Sequence, residues 1–172
     1  MFQKIKKIIK NNLPHHKLCK SIANLMPPLV CVDIGAAHFP HEKWLPFLLS
    51  SNTHWIAIEP DVTSMNYIKE WDWPCKLTYE QIGLSNSGGI QTLYETNSKT
   101  GSSLFKPVIS KSMKIRKLGR ENYLFPYKEK KIETQKLPVL LNKHNAAKNI
   151  FLKLDIQGAE LSILKSAAGL IE

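Results

Sequence analysis

The chain has 172 residues, enough for about one domain, with a formal net charge of +10 and 43% apolar residues, an ordinary share for a globular protein. Residues 1–20 hold six lysines and no acid. Residues 111–131 hold eight basic residues against two acids, so each segment contributes +6 and the rest of the chain nets −2. A nearly neutral body with two basic appendages is not the composition of a dedicated nucleic-acid binder, nor that of a disordered chain.

The three cysteines, Cys19, Cys31 and Cys75, are odd in number and match no zinc spacing. They fit reduced thiols in a cytoplasmic setting. The uncharged run 21–32 is too short and too broken by proline to span a bilayer. No uninterrupted apolar stretch follows the N-terminal lysines, so they do not open a signal peptide.

In chain order, Phe2, Ile5, Ile8 and Ile9 fall at helical spacing between lysines. Residues 1–13 therefore read as a basic amphipathic helix closed by Pro14. Its apolar stripe is expected either to pack on the domain or to contact the inner membrane surface peripherally. The organisation expected is a basic amphipathic segment over 1–20 and one domain over 21–172.

The continuous apolar run 29–33 predicts a strand buried on both faces. A helix is expected around 41–49, a strand over 54–59, a helix over 62–71 and a strand over 76–84. Asn86-Ser87-Gly88-Gly89 signals a turn. Residues 90–95 alternate and are expected to pair antiparallel with what precedes them. Residues 97–103 read as a polar loop and 106–131 as a loop or irregular lid. A short strand over 132–137, a strand over 150–156 and a helix over 158–168 complete the series. Strands alternating with helices imply an α/β, doubly wound, mostly parallel sheet. The last helix runs almost to Glu172. Such sheets usually continue, so the expectation is a fragment or a minimal sheet lacking its C-terminal strands.

The chemistry gathers where strands end and helices begin, the usual ligand crevice of an open α/β sheet. Asp33-Ile34-Gly35-Ala36-Ala37 is an acid followed by a glycine turn, and the glycine lets the backbone turn tightly and a ligand come close. It lacks the second and third glycines of a dinucleotide fingerprint. Glu59 ends the next strand, where an acid typically accepts hydrogen bonds from both ribose hydroxyls. With no glycine-rich phosphate cradle, this pair favours a phosphate-free nucleoside cofactor, of which S-adenosyl-L-methionine is the common example.

Asp155 ends the last strand, and Lys153 shares its face two residues earlier, as an ion pair or a lysine–carboxylate pair near a substrate hydroxyl. Glu160 follows in the first helical turn, where the helix dipole favours an acid. His38 is a candidate base beside the glycine turn. Ser102 and Ser103 read as loop hydroxyls. The histidines show no metal-ligand spacing with the acids, so no metal is expected.

These residues resemble the FkbM-type S-adenosylmethionine-dependent methyltransferases over roughly 30–171. The resemblance rests on Val32-Asp33-Ile34-Gly35-Ala36, on Ile58-Glu59-Pro60-Asp61, and on Gly83-Leu84-Ser85 with Gly88-Gly89 and Thr92-Leu93-Tyr94. It continues through Gly101-Ser102-Ser103-Leu104 to Leu152-Lys153-Leu154-Asp155-Ile156-Gln157-Gly158-Ala159-Glu160-Leu161, its most specific part. It implies a Rossmann-like class I methyltransferase fold that transfers methyl to a hydroxyl of a sugar, glycan or secondary metabolite. By it, Asp33, Gly35 and Ala36 line the methionine end of the cofactor, Glu59 holds the ribose beside Pro60, Ile82 and Gly83 lie near the adenine, and Asp155 faces the transfer site. His38, Phe39 and Pro40 fill a turn where the family often has another glycine.

Two other readings stand beside it. One is a degenerate or truncated module that keeps the fold and binds without catalysis. The other is a nucleic-acid methyltransferase, disfavoured because aromatic residues are not interleaved with the basic ones. The expected partner is a small-molecule or glycan acceptor.

Overall fold

A computed structural model describes residues 18, 21–22, 24–37, 40, 44–70, 72–96, 101–107, 128–146 and 149–170. The expectations for the basic segment 1–13, for His38 and for most of 106–131 lie outside these residues.

Four strands build a parallel sheet in the order β3-β2-β1-β7. They are β1 (Leu29–Ile34), β2 (Thr53–Ile58), β3 (Lys76–Glu80) and β7 (Ile150–Leu154). The register sets Cys31 beside Trp55 and Phe151, and Asp33 beside Ala57 and Lys153. Side chains alternate across a strand, so β1 splits its residues between two cores. Val32 and Ile34 join Ile56 and Ile58 on one face, covered by Leu137 and Leu140 of α3 (Leu137–Lys143) and by Ile163 of α4 (Glu160–Ser166). Cys31 joins Trp55 and Ala57 on the other. Leu45 and Leu48 of α1 (Leu45–Leu48), Met65 and Ile68 of α2 (Val62–Lys69), and Trp44 cover that face. Helices on both faces of a parallel sheet make the fold the expected Rossmann-like, doubly wound α/β type.

Local chemistry explains the helix starts. Asp61 caps α2, its Oδ2 accepting from the Ser64 N–H at 2.8 Å and from the Ser64 hydroxyl at 2.8 Å. Pro46 and Pro138 sit in the first turns of α1 and α3, where a missing N–H costs nothing. A 3-10 turn, Ala168–Leu170, follows α4.

A second sheet, in the order β4-β6-β5, departs from the expected pairing. The expected strand 76–84 is two strands. It breaks at Gln81 and Ile82, after which β4 (Gly83–Leu84) joins the other sheet. Strand β5 (Gly89–Glu95) does not pair with what precedes it. Its antiparallel partner is β6 (Lys128–Gln135), with Gln91 opposite Ile132 and Leu93 opposite Lys130. The start of β6 is Lys128-Glu129-Lys130-Lys131, whose charges hide the alternation because this end of the ribbon is exposed on both faces. Helix α3 follows β6 after one residue and was not anticipated, because seven residues broken by Pro138 show little periodicity.

Among the described residues, no helix is long and apolar enough to cross a membrane. Cys31 and Cys75 are free thiols, and burial pushes them up to about 12 and about 11, so both stay protonated and unreactive at neutral pH.

The two cores make a stability test. Leu140 is fully buried between α3 and the sheet, whereas Leu161 is 63% exposed. Leu140→Ala is expected to lose about 2–5 kcal/mol in urea unfolding. Leu161→Ala is expected to stay within about 0.5 kcal/mol of the parent chain.

Candidate active site

A cleft of about 410 Å3 opens at the C-terminal ends of β1, β2 and β7. Asp33, Gly35, Ala36, Glu59, Pro60, Ile82, Gly83, Lys153 and Asp155 all line it. Nine sequence-predicted positions from four separate segments thus share one cavity. His38 lies outside the described residues.

The floor is the turn after β1. The N–H groups of Gly35 and Ala36 both donate to the Ile58 carbonyl, at 3.0 and 3.1 Å. The N–H of Asp155 donates to the Ile34 carbonyl at 3.1 Å, which brings the end of β7 against the same turn. Gly35 has φ +79°, and a Cβ built on it would overlap the Asp155 carbonyl oxygen. A side chain is therefore excluded twice, by backbone conformation and by lack of space.

Lys153 ties these parts together. Its Nζ donates to Asp33 Oδ1 at 2.9 Å and to the Gly35 carbonyl at 3.1 Å, and lies 3.9 Å from Asp155 Oδ2. The pair expected between Lys153 and Asp155 is therefore the weaker of two, and the direct partner is Asp33 from the neighbouring strand. Asp33 is 3% exposed. Burial raises its carboxyl above the ordinary 3.8, and Asp155 adds to the rise. The charge and hydrogen bond of Lys153 oppose it. The Trp55 indole N–H also opposes it from short of hydrogen-bond geometry.

Glu59 is buried at the end of β2 yet lines the cleft. Its Oε1 accepts the Asp61 N–H at 2.9 Å. Burial pushes its carboxyl up to about 7. The Asp61 N–H and Lys153 pull it down, while the charges of Asp61 and Asp33 push it further up. A folded-state value above the ordinary 4.5 means that Glu59 favours folding as the neutral acid, a contribution lost as pH rises through about 7. A ligand that donates hydrogen bonds to the carboxylate reverses that preference.

Asp155 is the accessible carboxylate, with a side chain 58% exposed. Its Oδ1 accepts from Gln157 Nε2 at 3.2 Å. The following turn carries Gln157 at φ +60° and Gly158 at φ +116°. Glu160 reaches back over this turn, accepting the N–H groups of Ile156 at 3.1 Å and Gly158 at 2.8 Å. Burial raises the Glu160 carboxyl, but its own amide and those of Ile156, Gly158 and Gln157 together outweigh it and hold it below the ordinary value. Glu160 thus shapes the turn and does not line the cleft.

The opposite wall comes from the second sheet and the segment beyond β5. Leu93, Ile132, Ser102, Ser103 and Leu104 line it. Ser103 pairs with Tyr94 as a short bridge and donates its hydroxyl to the Gln157 carbonyl at 2.7 Å. Phe105 packs on the bare face of Gly158. Ser102 and Ser103, read from sequence as loop hydroxyls, therefore stand on the cleft wall. Ile132 carried no site signal in the sequence, since it resembles any core residue of a short strand.

The donor set suits an adenosyl group. A buried carboxylate that accepts one backbone amide faces the cleft at Glu59, beside a glycine floor, and no phosphate cradle stands there among the described residues. Among the described residues no cluster of His, Cys, Asp or Glu has the makings of a metal site.

The glycine floor generates a paired test. Gly35→Ala meets both a left-handed backbone and the Asp155 carbonyl, and is expected to cost about 2–4 kcal/mol of unfolding free energy. Gly89 has a similar φ of +77° with nothing within 4 Å. Gly89→Ala is expected to cost only the backbone part, about 1–2 kcal/mol. Equal losses in a denaturant series count against the close approach of β1 and β7.

No curated protein and no solved structure matches this sequence significantly. Residues 33–172 match the family model described as the methyltransferase FkbM domain. That span begins at Asp33 and takes in the whole set of cleft residues, so the chain belongs to the FkbM methyltransferase domain family.

Proposed function

We propose that this methyltransferase uses S-adenosyl-L-methionine and transfers its methyl group to a hydroxyl of a sugar, glycan or similar polyhydroxylated metabolite. The observation that carries the reading is Glu59. Its carboxylate lines the cleft one strand away from the Asp33–Gly35 turn, with one oxygen held by Asp61 N–H and capacity left for a ribose diol. Pro60, Ile82 and Gly83 supply the neighbouring surface for an adenine.

When bound, the cofactor supplies an electrophilic methyl group on sulfur. The chain then has two tasks, positioning and proton acceptance. The β1 turn, tied to Ile58, Lys153 and Asp155, gives a rigid floor against which donor and acceptor align. Asp155 is exposed and lacks a short ion pair, so it is the carboxylate free to accept the hydroxyl proton. Asp33 is buried and engaged by Lys153 and is not suited to that task. The hydroxyl-bearing acceptor is supported by family membership and by the mixed wall of Ser102, Ser103, Leu104 and Trp44.

Two measurements test the reading. Ribose hydroxyls donate to the ionised form of Glu59, so affinity for S-adenosylhomocysteine in isothermal titration is expected to rise as pH increases through about 7. Glu59→Gln is expected to bind about 1.5–3 kcal/mol more weakly and to lose that pH dependence. A folded chain that does not bind S-adenosylhomocysteine sinks the proposal.

The second measurement follows labelled methyl into a panel of hydroxylated acceptors. The product is expected to resist alkali, as an ether does and a methyl ester does not. Asp155→Asn is expected to lose about 10²–10⁴-fold in rate while keeping its affinity for S-adenosylhomocysteine.

A further inference from the structure

We propose that Lys153 recognises the carboxylate of the cofactor's amino-acid end. The inference rests on the reading that the cleft holds an S-adenosyl compound, and it adds a residue and a chemical group to that reading.

An ammonium has three N–H donors. Two of those on Lys153 are used, one by Asp33 Oδ1 and one by the Gly35 carbonyl. Asp155 Oδ2, at 3.9 Å, is too far to accept the third as a hydrogen bond. The lysine side chain is 24% exposed and lines the cleft, so this donor is open to a ligand. Among the described residues Lys153 is also the one cationic side chain on the cleft lining, against Asp33, Glu59 and Asp155. A ligand carboxylate entering there meets three like charges and one opposite charge.

The strand order places the lysine at the right end. Neighbouring strands lie about 4.8 Å apart, so β7 is roughly 10 Å from β2 across β1. A nucleoside whose ribose sits on Glu59, with its base toward Ile82 and Gly83 on the β3 side, sends its 5′ substituent toward β1 and β7. The tail of S-adenosylmethionine is a zwitterion. The Asp33–Lys153 pair presents the complementary charges side by side, the acid for the ammonium and the lysine for the carboxylate. Because Asp33 and the Gly35 carbonyl hold Lys153 in place, little side-chain entropy is lost when the third bond forms.

The test compares S-adenosylhomocysteine with its decarboxylated analogue, which keeps the adenosine, the thioether and the amino group. Isothermal titration of the parent chain is expected to show a clear preference for the carboxylate form. Lys153→Met is expected to lose at least about tenfold more affinity for S-adenosylhomocysteine than for the decarboxylated analogue. Lys153→Arg is expected to keep most of the preference. Removing one member of a buried pair endangers folding, so Lys153→Gln, whose amide still donates to Asp33, repeats the comparison if Lys153→Met does not fold.

Equal losses for both ligands, as a purely structural lysine would give, overturn the assignment, and so does no loss for either. A parent chain that binds both ligands equally overturns the assignment alone. A parent chain that binds neither overturns the cofactor reading and this inference together.

Discussion

The ends of β1 and β7 meet with no room for a side chain between Gly35 and the Asp155 carbonyl, and Lys153 spans the junction. This contact is what the cleft is built on. It sets the height of the turn, buries Asp33 beside a cation and leaves Asp155 facing outward. A buried carboxylate without a partner would be costly or neutral, and a lysine in its place without an acid equally so. As a pair they lock the registers of two strands that lie 120 residues apart in the chain.

From that junction the three cleft carboxylates take different characters although all end strands of one sheet. Asp33 is buried and paired. Glu59 is buried and held by a single backbone amide, which leaves it poised near neutrality. Asp155 is exposed and loosely associated. Burial and distance to one ammonium account for the division. A carboxylate group thus takes a different character at each position according to how much water and positive charge it receives there.

The second sheet turns a crevice rim into a cleft. Its inward row, Leu93 and Ile132, faces the β1 turn, while the Ser103 hydroxyl and the Phe105 ring bind it to the left-handed turn at Gln157 and Gly158. The Gly83 position shows how closely β4 and β6 pack within this sheet, since a Cβ there would stand 2.8 Å from Ile132 Cδ1. This wall of the cleft is therefore tied to the turn that follows Asp155.

What the sequence determined by itself is the parallel core and the cleft floor. Both are written in local signals, apolar runs ending in Asp33, Glu59 and Asp155 with a glycine next to the first. A strand buried on both faces must be apolar along its length, and a ligand site at its end must break that pattern, so the break is visible residue by residue. The tertiary structure alone decided the pairings. That β5 joins β6 across some forty residues is a contact between segments distant in the chain, and the charged start of β6 carries no imprint of it. That Lys153 serves Asp33 before Asp155 follows from strand register, and spacing along β7 placed it near Asp155 only. A side chain's neighbours along the chain are legible because backbone geometry fixes them. Its neighbours across a sheet are set by packing of the whole domain, and here that packing chose the cleft's wall and the lysine's partner.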